Sequence, residues 1–183
     1  MLTRRLPALF ALLALALAAG CPQSPAPEAA KSGDAAPAAA ASIPGALFLP
    51  ERPAQAEGLS AVKAKAKQGD EVVFEARVGG RAEPFVAKRA LFVVADPALP
   101  ACSENEGDGC KTPWDYCCED PQDLLRQTAT VRFLDAQGKP IAASAKDAGG
   151  LAGLKTVVVR GKVSEANEEG LFVVDASGVW VKP

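Results

Sequence analysis

Histidine is absent from this chain, which removes the commonest general base and the commonest metal ligand together. No G-x-S-x-G, no P-loop and no dinucleotide-binding fingerprint occurs either. The adjacent carboxylates Glu119 and Asp120 read as solvated loop charge, so no catalytic residue is assigned and an enzyme is not expected. Basic runs are missing as well: 20 Lys and Arg face 22 Asp and Glu. Phosphate binding relies on clustered cations, so a nucleic-acid partner is not expected. Long apolar runs are absent after residue 20, and the one before it, "ALFALLALALAAG", has 13 residues. That is short of the roughly 20 that span a bilayer as a helix.

What is present at the start is informative. Arg4 and Arg5 precede the apolar run, and small residues follow it, which is the pattern of a secretory signal peptide over residues 1–20. The segment then reads "LAAGC", with Ala19 and Gly20 ahead of Cys21. This resembles the lipobox of bacterial lipoproteins, although Ala18 stands where that pattern usually has Leu. The resemblance implies a diacylglycerol thioether on Cys21 and cleavage after Gly20. It also implies a chain anchored to a bacterial membrane, with its domain in the periplasm or outside. An ordinary signal peptide would leave Cys21 as a lone thiol in an oxidising space, a chemical hazard. Without Arg4 and Arg5, 18 basic side chains face 22 acidic ones, a net charge of −4.

Residues 22–42 are almost wholly Ala, Pro, Ser and Gly, with nothing large to bury, and read as a disordered tether. Such a coil spans on the order of 25–30 Å. Residues 43–58 carry Ile43, Leu47, Phe48 and Leu49 among prolines. They either extend the tether or lie along the domain, and the tether is drawn over 21–58.

The domain is expected over 59–183. "LSAVKAKAKQGD" predicts a short helix with Ser60 as cap and Gly69 as stop. Lys63, Lys65 and Lys67 are placed on an exposed face. In "DEVVFEARVGG", Val72, Phe74, Ala76 and Val78 alternate with Glu75 and Arg77, the pattern of a half-buried strand ended by a Gly-Gly turn. "ALFVVADP" predicts a strand buried on both faces. "TATVRFLDAQGKPIAAS" predicts a strand and a turn at "DAQG". The last 29 residues predict two or three strands, a hairpin turn at "ANEEG", and a bend or bulge at Gly178. Trp180 is placed in the core or at the barrel edge. Together these predict a mainly β protein with one or two short helices. "KTVVVRGKV" followed by "GLFVVDASGVWVK" resembles the closing strands of an OB-fold, a five-stranded Greek-key barrel, with Gly161 at a tightly coiled corner where a side chain would clash. The long insertion over 97–127 departs from a minimal OB-fold. The fold alone assigns no function.

That insertion holds Cys102, Cys110, Cys117 and Cys118, every cysteine besides Cys21. Its "TPWDYCCE" segment ahead of "TATVRFLD" is similar to uncharacterised secreted proteins of planctomycete-type bacteria, a resemblance that supports the compartment and the fold and carries no known activity. The first reading of the four cysteines is two disulfides of unassigned pairing, since the compartment oxidises and the loop has few apolar groups. The alternative is a four-thiolate site for Zn or another soft metal, with Asp115 and Glu119 nearby. Against it, the intervals between cysteines are seven, six and none, unlike the usual pairs two to four residues apart. A redox-active dithiol comes third, for want of C-x-x-C and of a base other than Lys111. Glu104, Glu106, Asp108 and Asp115 approximate a Ca²⁺ loop, but a solvated acidic turn explains them better. Trp114 and Tyr116 alternate beside the cysteines. They are expected to anchor the loop on the barrel, with a recognition surface as the other possibility. The function expected is that of a membrane-anchored, non-enzymatic binding or scaffolding module without cofactor, for a protein or saccharide ligand. The alternative is a metal-handling or redox lipoprotein.

Overall fold

The computed structural model describes residues 41–183. The expected signal peptide, Cys21 and the expected tether through residue 40 lie outside the described residues. The alternation in "EVVFEARV" forms β2 (Glu71–Val78), with Val72, Phe74, Ala76 and Val78 all buried. It pairs antiparallel with β5 (Thr156–Ala166), from Glu71 opposite Lys162 to Arg77 opposite Thr156. β5 turns through residues 167–171 into β6 (Phe172–Val181), so the hairpin expected at "ANEEG" is formed. β6 runs parallel to β4 (Thr128–Arg132), β4 is antiparallel to β3 (Leu91–Ala95), and β3 returns to β2. The ring is closed, and the expected OB-fold-like five-stranded barrel is the architecture observed. Its interior is filled by Phe74, Phe92, Phe133 and inward valines such as Val131, Val157 and Val159, all fully buried.

Gly161 sits where the ring coils most tightly. Arg160 pairs with Gly178 but Gly161 with Ala176, so Ser177 is extra and β6 bulges there. A Cβ on Gly161 would run into the Asp175 carbonyl oxygen and lie 2.9 Å from Ala176 Cα. The strand over "ALFVVA" differs from expectation. Phe92, Val94 and Ala95 are buried, while Leu91 and Val93 keep partial exposure, so β3 faces the core on one side for most of its length. Trp180 is half-buried opposite Val158.

Residues 43–58 belong to the domain. Leu49 N–H donates to the Val179 carbonyl at 2.9 Å, and Phe48 packs edge-on against Phe133 with ring centroids 5.6 Å apart. Ile43 and Leu47 join the same core. Further on, β1 (Glu57–Gly58) pairs parallel with β2. A tether ending at residue 58 is therefore too long, because the chain meets the barrel near Ile43. The apolar residues there are few and lack a period, so pairing with β6 could not be read from them.

The helix α1 is short, Leu59–Lys63, and its cap is Gly58 rather than Ser60. Its first turn is held from elsewhere. The buried Asp96 accepts from Ser60 N–H at 2.6 Å and from Ala98 N–H at 2.8 Å. Replacing Asp96 by alanine strands both donors, and unfolding in denaturant is expected to show a loss of about 2–3 kcal/mol. Asp96→Asn, which keeps an acceptor, is expected to lose less. Lys65 and Lys67 are exposed as predicted, but Lys63 is not. Its ammonium donates to the carbonyls of Leu125, Thr128 and Gly170 at 2.6, 2.8 and 2.7 Å. Burial lowers its pKa to about 8, so it remains charged at neutral pH and ties α1 to the end of the insertion.

Candidate metal centre

The insertion leaves the barrel after β3 and returns at β4, and its two ends meet where Asp96 N–H donates to the Gln127 carbonyl at 2.8 Å. Its last turns form α2 (Pro121–Gln127), started by Pro121 and capped by Asp120, which accepts from Gln122 N–H at 2.7 Å. Three devices seat the rest. Arg77, on the outer face of β2, donates to Glu104 at 2.7 Å, to Leu99 O at 2.7 Å and to Pro97 O at 3.2 Å. Tyr116 is completely buried with Ala95, Leu99 and Ala101 in a small apolar cluster separate from the barrel core. The Gly-Gly turn lies directly beneath: Gly80 N–H donates to Trp114 O at 2.8 Å. A Cβ on Gly79 would stand 2.5 Å from that oxygen and 2.8 Å from the Tyr116 ring. The turn therefore serves as a seat for the loop as well as a strand end.

Tyr116 adopts a left-handed conformation, φ 58°, and this local reversal aims Asp115 and Cys117, on either side of it, at one point. Asp115 is fixed there by Thr112 Oγ1 at 2.8 Å and by Cys117 N–H at 2.9 Å. Cys102, buried at the start of the loop, and Cys110 reach the same point. Cys117 Sγ is 3.6 Å from Cys102 Sγ and 3.8 Å from Cys110 Sγ. Asp115 Oδ1 is 3.5 Å from Cys102 Sγ and 3.8 Å from Cys110 Sγ. Ligand atoms of these four residues all lie within 4.8 Å of one another. Cys118 points to a neighbouring group, in which Cys102, Asp108 and Cys118 likewise lie within 4.8 Å of one another. Asp108 accepts from Cys118 Sγ at 3.0 Å and from Cys110 N–H at 2.7 Å.

The electrostatics of the cluster are those of thiols set among carboxylates. Donation to Asp115, and then contact with Cys102 and Cys110, pushes the Cys117 pKa far up. Asp108 and Cys102 push Cys118 up to about 11. Burial works to raise Asp115, but donors from Cys117 N–H, Thr112 and the Cys117 and Cys102 thiols outweigh it and hold the carboxylate below its ordinary value. Cys117 and Cys118, held protonated beside carboxylates, are poor nucleophiles in the ion-free chain.

Each predicted site residue can now be placed. The four cysteines come together, but among the described residues no two sulfurs are at bonding distance. A disulfide needs about 2.05 Å, so neither of the two expected bonds is formed in this structure. Glu104 is committed to Arg77 and to Ala101 N–H, which takes it out of any Ca²⁺ loop. Glu119 is not among the clustered groups. Tyr116, fully buried, cannot be a recognition surface and acts as the anchor. Trp114 is half-buried, donates from Nε1 to Ala82 O at 3.0 Å and lies on Gly153. Its edge borders a cavity of about 320 Å³ with Pro84, Phe85 and Lys146. Asp108 and Arg77 were missed as contributors. Asp108 looked like turn acid, and Arg77 like ordinary outward charge on an alternating strand.

Arg77→Met is expected to free the 97–104 segment without opening the barrel. Hydrogen exchange of the Leu99 and Glu104 amides, which donate to Asp96 O and Ala101 O, should quicken by roughly thirtyfold, corresponding to about 2 kcal/mol for charge-assisted hydrogen bonds. Unchanged protection would mean that the Tyr116 cluster and the Gly79–Gly80 seat hold the segment without Arg77.

Comparison of the chain with models of known protein families, with curated proteins and with solved structures gave no match.

Proposed function

We propose that this chain is a non-enzymatic metal-binding module of the bacterial envelope, anchored through lipid on Cys21. In this reading the OB-like barrel presents a thiolate–carboxylate site for Zn²⁺ or a chemically similar divalent ion. One observation carries the metal reading: Cys117 Sγ has two sulfur neighbours, at 3.6 and 3.8 Å. A disulfide pairs each sulfur with one partner, whereas ligands around an ion must all approach one another. Zn–S bonds of about 2.3 Å imply tetrahedral edges of about 3.8 Å. Asp115 supplies the fourth corner, and a mixed sulfur–oxygen set suits borderline ions such as Zn²⁺ better than Cu(I), which selects sulfur alone. The loop needs such a fastening, since beneath it only Ala95, Leu99, Ala101 and Tyr116 are buried together.

A groove of about 800 Å³ is bordered by α1, the end of α2 and the β5–β6 turn and is lined by none of the cysteines. Two of its cations, Lys65 and Arg126, are already paired with Glu57 and Asp123. It therefore does not compete as the site.

Elemental analysis of the full chain isolated from membranes, with thiol titration in denaturant, tests this reading. The expected result is at least one equivalent of zinc per chain, with Cys102, Cys110, Cys117 and Cys118 all reactive once the protein is unfolded. An ion-free protein whose loop cysteines do not react would overturn it in favour of two disulfides. Mass analysis of the N-terminal peptide checks the anchor separately, and an unmodified Cys21 would remove it.

A further inference from the structure

We propose that the loop holds a second divalent ion beside the first, with the Cys102 thiolate shared between them. This rests on the metal reading above and extends it. Two ligand sets overlap at a single residue: Cys102, Cys110, Cys117 and Asp115 form one, and Cys102, Cys118 and Asp108 form the other. A thiolate has lone pairs enough to bridge two ions, and Cys102 is the wholly buried member, held at the start of the loop by the Arg77–Glu104 clamp. Cys118 and Asp108 already face each other, sulfur to Oδ2 at 3.0 Å. In the ion-free chain a proton on the Cys118 thiol occupies that contact. Ion binding sends this proton to solvent, and both groups become ligands.

Charge argues the same way. One ion in the first set leaves three thiolates and a carboxylate with a net charge of −2, and the Asp108 carboxylate stands immediately beside them. Arg77, the half-buried cation that clamps the loop, is spent on Glu104 and the carbonyls of Pro97 and Leu99. A second dication relieves that excess. The two positions differ in character. The inner set has four protein ligands and is closed, whereas the outer has three and keeps a position for water, as open zinc sites do. Both sets have an exposed sulfur, Cys117 in one and Cys118 in the other, but the outer set has only three protein ligands, so its ion is the exchangeable one and keeps a position for a small ligand from solvent.

The test uses reduced full chain loaded anaerobically with Zn²⁺, and in parallel with Co²⁺ to read coordination from its visible spectrum. Two equivalents are expected, the second removed by a mild chelator that leaves the first. Cys118→Ala and Asp108→Asn should each reduce the stoichiometry from two to one while the tetrahedral cobalt spectrum of the inner site persists. One equivalent in the native chain, unaffected by either substitution, overturns the second ion and leaves the first. One equivalent that is lost with Cys118→Ala also overturns it, because Cys118 would then be a corner of a single site. No bound ion at all overturns both readings.

Discussion

Replacing Cys102 by serine is expected to abolish ion binding at both positions, with affinity falling by more than ~100-fold. No other single change in the loop should do this. Cys110→Ser and Cys117→Ser each remove a ligand of the inner set only, and Cys118→Ser one of the outer set only. The reason is placement: Cys102 is the one sulfur common to both groups, and it is completely buried. Serine preserves its volume to a first approximation, and a hydroxyl is a far poorer ligand than a thiolate for a borderline ion. Isothermal titration with Zn²⁺ under reducing conditions measures the change. A Cys102→Ser protein that still binds one equivalent tightly would show that the two sets are independent.

The largest loss of stability is expected from Gly161→Val. The added side chain meets backbone, the Asp175 carbonyl and Ala176 Cα, and backbone has no rotamer by which to give way. Relief would require parting β5 from β6, the pair that carries the bulge. The expected cost is about 3 kcal/mol or more, a large share of the 5–15 kcal/mol that holds a domain together. Denaturant unfolding should show a much lower midpoint or no folded baseline. A midpoint within error of the native chain would mean that the corner is looser than the contacts imply. Gly45 is a matched control, since a Cβ there meets nothing within 4 Å.

Gly161 was legible in the sequence because a glycine within alternating valines has few uses other than close backbone approach. The strands were legible for the same reason of period. Val72, Phe74, Ala76 and Val78 announce one buried face, and the structure buries all four. What escaped was everything fixed by partners distant in sequence. Asp96 resembles a turn residue after a strand, and only the fold brings Ser60 N–H to its carboxylate. Lys63 looks like its neighbours Lys65 and Lys67 until three carbonyls, from α2, β4 and the β5–β6 turn, close around it. The centre itself fell between these cases. The intervals between cysteines argued against a metal, because familiar zinc loops bring ligands together by short local turns. Here the cysteines and Asp115 converge by tertiary means: the Arg77 clamp, the seat on Gly79 and Gly80, and the reversal at Tyr116. The composition of the loop pointed to a fastening, and the spacing could not tell covalent from coordinate.

The meeting of Asp96 with Gln127 at the two ends of the insertion has a consequence for how the molecule fails. The loop enters and leaves through one doorway, and none of its residues belongs to the buried core of the barrel. On the metal reading, a chelator should therefore loosen the appendage while the ring of strands stands, giving two separate transitions on heating. A loop rebuilt or exchanged at that doorway, with the end that Lys63 holds left in place, is then expected to leave the barrel folded.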